Sequence, residues 1–243
     1  MKTIATAFVA IAAAVAATPA TAQSYDAFTT FNGTQGAGNF YYGLANPATP
    51  DVSGTFFTAN TNCFIDGSTC LQEAANHDVP GVAKGGMPAF QYGTVNVPQD
   101  RLLIHPSNTD DVTFAVFVAP TAGFYRLSAT FNVQDINPSG VDIFSVGTTN
   151  GGLPLTFANI GSIGAGNTTF TTFTGPVRLG ASEALGYAVG RQGTYNNDST
   201  GLQFSVLAGV PEPTTWSLMI LGFGAIGGAM RRRARTTTTV AYA

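Results

Sequence analysis

Few side chains in this sequence are able to do covalent chemistry. His77 and His105 are its only histidines, Cys63 and Cys70 its only cysteines, and Glu73, Glu183 and Glu212 its only glutamates. A serine hydrolase of the elbow type needs a nucleophile on a sharp strand-to-helix turn, and no Gly-x-Ser-x-Gly sequence occurs. A glycosidase needs two carboxyl groups about 5–10 Å apart across a cleft, and neither Glu73 nor Glu183 lies in a recognisable motif. His105 precedes Pro106 at an expected turn, and His77 stands beside Asp78 in a polar stretch, so both read as surface or capping histidines. No catalytic residue is assigned. The expectation is a non-enzyme, with a secreted hydrolase kept as an alternative.

Binding chemistry has more to work with. Asp110-Asp111, and Asp135 with Asp142, bear oxygens of the kind that several-fold Ca²⁺ coordination requires. Aspartates at turns and strand ends also hydrogen-bond locally, so Ca²⁺ stays open and no metal ligand or cofactor is assigned. Sugar recognition requires aromatic platforms and amide or carboxylate partners without a catalytic group. Tyr41, Tyr42, Tyr92 and the loop Tyr195-Asn196-Asn197-Asp198 supply those types, the loop being the candidate ligand site. Core packing or turn formation is the competing, and simpler, account of the same residues. In an exported chain Cys63 and Cys70 read as a disulfide closing a short turn-rich loop. A metal site would need more ligands than two sulfurs.

Export is what the first residues signal. Lys2, an apolar run from Ile4 to Ala17 and the small residues of Ala20-Thr21-Ala22 make a Sec signal peptide over 1–22. The apolar run is shorter than the roughly 20 residues of a membrane span. At the other end, Pro211-Glu212-Pro213 lacks two amide donors and stays extended outside any sheet. An uncharged stretch from Trp216 to Met230 follows and then Arg231, Arg232 and Arg233. As a helix that stretch covers about 22 Å, thin for a core of about 30 Å but extendable by flanking residues. Trp216 suits one membrane interface and the arginines the cytoplasmic side. Gly224 and Gly228, four apart, permit close approach of another membrane helix. The stretch is therefore expected to be a single transmembrane helix holding the precursor in the inner membrane.

The Pro-Glu-Pro triplet, Trp216, the Gly-rich apolar helix and the Arg cluster together resemble the PEP-CTERM sorting domain, also called the ice-binding-protein C-terminal domain. The resemblance covers residues 210–235 and leaves a tail at 236–243. It implies recognition by an exosortase, removal of the helix near Pro211-Glu212-Pro213, and a Gram-negative host that makes exopolysaccharide. The expected address is the cell surface or extracellular matrix.

The middle, 23–209, is positioned by strands. Charged residues are only 9% of the chain and aromatics 11%, which excludes disorder and suits an all-β exported domain. Four of the ten basic residues lie at 231–235, leaving no basic patch for nucleic acid. Short alternating runs separated by Gly, Pro and Asn predict strands at Val112–Val118, Phe124–Val133, Val141–Val146, Thr168–Phe173, Ala184–Val189 and Leu202–Leu207. One helical turn is expected at Ala74–Asp78. The stretch Leu103–Leu127, with its Ala119-Pro120-Thr121-Ala122-Gly123-Phe124-Tyr125 run, is similar to galactose-binding-like jelly-roll domains of exported bacterial proteins. So is Gly190–Leu202. The resulting expectation is an antiparallel jelly-roll β-sandwich ectodomain. It would belong to an exosortase-processed, exopolysaccharide-associated protein, or alternatively a lectin-like carbohydrate-binding module.

Overall fold

The computed structural model describes residues 22–49, 55–73, 79–148, 154–164, 168–209 and 214–233. Residues 1–21 of the expected 1–22 signal peptide, the turn expected at Ala74–Asp78 with His77, the Pro211-Glu212-Pro213 triplet and the 236–243 tail lie outside them. So do the side chains of Trp216, Arg232 and Arg233.

Residues 22–209 form one compact unit, built from β1 (Ser24–Asp26), α1 (Ala27–Thr30), β2 (Phe40–Ala45), β3 (Thr55–Phe56), β4 (Thr58–Asn60), β5 (Thr69–Gln72), β6 (Gly81–Lys84), β7 (Phe90–Tyr92), β8 (Val95–Val97) and β9 (Leu102–His105). There follow β10 (Val112–Val118), β11 (Gly123–Val133), β12 (Val141–Thr148), β13 (Leu155–Ile163), β14 (Thr169–Phe173), β15 (Val177–Leu179), β16 (Ala184–Arg191) and β17 (Thr200–Ala208). One sheet runs β14-β11-β17-β9-β6-β5-β4, with β15 beside β11 and β1 beside β17; the second runs β13-β12-β16-β10-β2-β3. A small hairpin, β7-β8, stands apart from both. From β9 onward the chain crosses repeatedly between the two large sheets, and every pairing is antiparallel. The architecture is the expected all-β sandwich and fits a jelly roll.

Alternation in the strands builds the core. In β11, Leu127, Ala129 and Phe131 point inward and are buried, while Arg126 and Ser128 face solvent. They meet Phe40, Tyr42, Phe117, Ile143 and Tyr187 of the opposite sheet in one cluster. β10 reads instead as an unbroken apolar run. Its second face is also covered: Val112, Phe114 and Val116 pack with Ala45, Val146, Leu155 and Ala188 on the outside of the second sheet. A third cluster lies on the outer side of β5, β6 and β9. There Cys63, Phe64, Ile65, Cys70, Ala83 and Leu103 pack under Val95 and Val97 of the hairpin.

The predicted strands are present. Five differ at their ends: β11 starts one residue earlier, at Gly123, β14 one later, at Thr169, β12 runs two residues further, to Thr148, β16 likewise, to Arg191, and β17 runs from Thr200 to Ala208. The longer three contain Gly147, Gly190 and Gly201, which lower apparent strand propensity; Gly190 and Gly201 are buried where a side chain would crowd Val112 and Arg101. Tyr42 does not serve as an exposed platform; it is 1% exposed, in the core. Tyr41 is half-buried, its ring 5.9 Å from Phe56.

The tail is described by itself. Thr214–Arg233 is a helix, α2, of 20 residues, and Met219 to Arg231 are exposed on it. Among the described residues no helix is long and apolar enough to cross a membrane, so the expected transmembrane helix is not shown. The physical reason is dilution. Gly222, Gly224, Gly227 and Gly228 interrupt the apolar side chains between Leu218 and Met230, a length of about 20 Å as helix.

Phe131 is fully buried and its ring stands 6.0 Å from Tyr187 across the sandwich. Phe131→Ala is expected to lower unfolding free energy by about 3–5 kcal/mol in a urea titration followed by circular dichroism. A loss under about 1 kcal/mol would show that this contact is not a core contact.

Candidate functional site

The described residues shape a cleft of about 300 Å³ where the β7-β8 hairpin, the disulfide loop and the β16–β17 loop converge. Its apolar wall is Phe64, Ile65, Val79 and Tyr92; its polar wall is Thr94, His105, Asp135, Asn197 and Ser199.

Each wall has a local cause. Cys63 and Cys70 form a disulfide with Cα atoms 5.7 Å apart, as expected. The enclosed turn is tightened by Ser68, whose N–H and hydroxyl both donate to the Ile65 carbonyl at 3.3 and 2.7 Å. Phe64 is thereby presented to the cleft, with its N–H donating to Gln72 Oε1 at 3.0 Å. The hairpin turns through Gly93 and Thr94, Gly93 taking a left-handed φ of 56°. Tyr92 Oη donates to Asp66 Oδ2 at 3.3 Å, which ties the hairpin to the disulfide loop. Burial first, then the Asp66 carboxylate, push the Tyr92 phenol above its ordinary value.

Two buried aspartates fix the third wall. Asp135 accepts from Thr94 Oγ1 at 2.5 Å and from the Ser199 N–H at 3.0 Å, linking hairpin to loop. Asp198 is 2% exposed. It accepts from Ser139 Oγ at 2.6 Å and from the Gly140 N–H at 2.8 Å. Gly140 has a φ of 110°, and a side chain there would stand 2.6 Å from Gln192 Oε1, so the approach requires glycine. Burial pushes the Asp198 carboxyl up, opposed by these hydrogen bonds and by His105. Asp198 thus builds the loop and does not face a ligand.

The other expected residues distribute as follows. Asn197, exposed and at a φ of 60°, lines the cleft and stands 3.5 Å from Thr94 Oγ1. Asn196 is exposed outside it, and Tyr195 is half-buried with its ring 6.4 Å from His105. His105 is not a surface histidine. It is 7% exposed, wedged between Phe64 and Tyr195, with Nδ1 donating to the Pro106 carbonyl at 2.9 Å. Asp110 pairs with Arg191 at 2.8 Å, Asp111 accepts from Thr109, and Asp142 accepts from Gln192. Asp135 and Asp142 therefore serve different partners, and no group of three His, Cys, Asp or Glu among the described residues could hold a metal ion. Glu183 accepts from the Gly180 N–H in a turn, and Glu73 is exposed at the end of β5.

Thr94, Phe64 and Ser199 went unassigned from sequence. The hairpin had a usable signal, since Phe90-Gln91-Tyr92 and Val95-Asn96-Val97 alternate around a glycine-containing two-residue turn. Phe64 and Ser199 carry no such signal; only the fold brings them to this cleft.

Beyond the last strand the comparisons speak. Residues 209–233 match the family model of the PEP-CTERM protein-sorting motif. The tail is a sorting signal. It marks an exported protein for which an exosortase is the processing partner, as the Pro-Glu-Pro, helix and arginine pattern implied. No curated protein matches the chain as a whole. Among solved structures, PRD1 vertex protein P5 is similar over 70% of this chain and 95% of its own, at 7% identity and a TM-score of 0.27. Eiger TNF from S. frugiperda is similar over 72% of this chain and 95% of its own, at 8% identity and 0.28. A β-(1,4)-mannanase of Podospora anserina is similar over 70% of this chain but only 29% of its own, at 15% identity and 0.26. Scores this low carry no inference about ligand or activity.

Two outcomes are expected from the walls. Replacing Cys63 and Cys70 together by Ser lowers stability by about 2–3 kcal/mol, the chain-entropy value for so short a loop, read by urea unfolding. The second concerns pH. The Asp198 carboxyl is raised in the folded state, so the folded chain holds that proton more tightly than the unfolded chain. Its contribution to stability is full below the unfolded carboxylate pKa and declines as pH rises through the raised folded value. Asp198→Asn should flatten that decline, which sets in above the ordinary carboxylate value of about 4. An unchanged slope in melts above that value would contradict the assignment.

Proposed function

We propose that this chain is a non-enzymatic protein of a Gram-negative cell envelope or its extracellular matrix. It is exported through the Sec machinery, held at the inner membrane as a precursor, processed by an exosortase and retained at the surface with exopolysaccharide. The observation that carries this reading is the sorting motif at 209–233, which starts directly after the last strand ends at Ala208. The N-terminal side is consistent with it. β1 begins at Ser24, two residues past the expected cleavage after Ala22, and Gln23 O accepts from the Ala208 N–H at 2.8 Å. Cutting both ends there would leave the sheets whole.

A lectin-like carbohydrate-binding role is the second reading, favoured by the Tyr92 ring and the exposed Asn197 amide at the mouth of one cleft. An aromatic face and a pair of amide hydrogen-bonding groups are what a sugar ring requires, with its apolar C–H face and equatorial hydroxyls.

With Pro211, Glu212 and Pro213 replaced by alanine, mass spectrometry of the cell-envelope fraction is expected to find the chain with its tail still attached. Normal processing would sink the sorting reading. The lectin reading predicts co-sedimentation with the host's exopolysaccharide, weakened about tenfold or more by Tyr92→Ala or Asn197→Ala, the equivalent of losing one contact of about 1.4 kcal/mol. Binding unaffected by either change would place any sugar site elsewhere.

A further inference from the structure

The outer strand β14 pairs only with β11 among the described residues, and its hydrogen-bond phase fixes which backbone groups are left over. Val133 N–H donates to the Thr168 carbonyl at 3.0 Å, and Thr174 N–H to the Leu127 carbonyl at 2.9 Å. Both belong to the same antiparallel register as Asn132↔Thr169 and Ser128↔Phe173. Hydrogen-bonded and non-hydrogen-bonded pairs alternate in such a ladder. Phe170 and Thr172 therefore turn their N–H and C=O groups toward β11, while those of Thr169, Thr171 and Phe173 point off the edge. Six backbone groups are presented in a row.

Natural edges are blunted by charge, proline, bulges or short length. The other edges here follow that rule. β3 and β4 have two and three residues, and β13 breaks its register with β12 opposite Ile143 and Phe144, leaving Ile160 as a bulge. The sequence of β14, Thr-Phe-Thr-Thr-Phe, has no charge, no proline and no register break. Its outward side chains are held in line by Thr171 Oγ1 to Thr130 Oγ1 at 3.2 Å and Asn132 Nδ2 to Thr169 Oγ1 at 2.9 Å. Phe173, at its end, is 79% exposed.

We infer that β14 is an interaction edge for a second copy of this chain, pairing antiparallel about a two-fold axis through Thr171. The register is self-complementary. Thr171 faces Thr171 of the second copy, and Thr169 faces Phe173 in both directions. All three are hydrogen-bonded pairs, so the six leftover backbone groups of each strand are satisfied at once. Each exposed Phe173 ring comes to lie over the opposing Thr169 on the outer face, and no like charges meet across the junction. The nine-stranded sheet becomes continuous through two copies. A peptide strand of another protein would use the same backbone groups but has no reason to match the spacing of Thr169, Thr171 and Phe173.

The test uses the full chain in mild detergent, where the engineered thiol is the only free one. Hydrogen-bonded antiparallel pairs stand about 5.5 Å apart at Cα, inside the disulfide range of about 4.4–6.8 Å. Under air oxidation Thr171→Cys is expected to form a covalent dimer, at least about tenfold more than Gln203→Cys on the same sheet face two strands inward. Thr171→Lys, which sets two ammonium groups against each other, is expected to sediment as a monomer at concentrations where the parent chain is a dimer. Circular dichroism confirms that it is folded. Equal cross-linking by the two cysteine variants, or a parent chain that sediments as a monomer at about 0.1 mM, overturns the inference. So does a folded Thr171→Lys that remains dimeric.

Discussion

The two sheets are joined by one continuous run of aromatic rings. Tyr25 meets Phe117 at 4.7 Å between centroids, Phe117 meets Phe40 at 5.6 Å, and Phe40 meets Phe204 at 5.1 Å. Phe204 then meets Tyr187 at 5.4 Å, and Tyr187 meets Phe131 at 6.0 Å. The run passes back and forth between sheets, so each ring locks the side chain of a strand in the other layer. Most contacts are edge-on or tilted, the arrangement aromatic quadrupoles favour. With so few charged residues, this seam and the backbone ladders carry nearly all the cohesion. Among the described residues the buried hydroxyls of Tyr42 and Tyr187 have no well-formed hydrogen bond; burial raises both phenols, and Thr172 beside Tyr187 opposes the rise there.

The loops depend on that seam for their footing. Once β9, β16 and β17 are placed, the chain segments between them have to return over the end of the sandwich. Buried carboxylates then do locally what hydrophobic packing does in the core. Asp135 joins the hairpin to Ser199, and Asp198 joins the same loop to the Ser139-Gly140 turn. Each aspartate satisfies one buried backbone donor, the Ser199 or the Gly140 N–H, and ties a hydroxyl from an exposed residue, Thr94 or Ser139, to the same carboxylate. The cleft is the space left between pegs.

Legibility followed the range of the interactions. Strands such as β10 and β11 were readable because β-branched and aromatic residues recur within seven to eleven neighbouring positions. The disulfide was readable because export leaves two lone cysteines one economical partner. β4 to β6 were not, since four-residue strands such as Thr69–Gln72 have too few positions to show a period. At the cleft, Asn197 and Tyr92, singled out by loop chemistry and by residue type, both form part of the lining. Asp198 looked like a ligand group for the reason it is a structural one, a short acceptor in a turn. His105 looked exposed because Pro106 follows it, yet Phe64, 41 positions earlier in the chain, covers it. The tail was the easiest part to read and the apolarity of its helix the most overestimated. Its pattern is a local address, whereas membrane crossing depends on a sum over every residue.

The two ends of the folded body lie side by side. β1 and β17 are antiparallel neighbours, with Ser24 opposite Leu207 and Tyr25 opposite Val206, so entry and exit lie one strand spacing apart, about 4.8 Å. A protein fastened at a surface through its exit end takes any pull along β17. That strand is zipped to β11 through nine residue pairs, from Thr200↔Val133 to Ala208↔Tyr125, and to β9 and β1 on its other side. Drag from flowing water would load these hydrogen bonds in parallel, in shear, so that many must fail together before the strand slides. Were the chain fastened through its exit end, the pairings of β17 on both sides would resist traction along that strand.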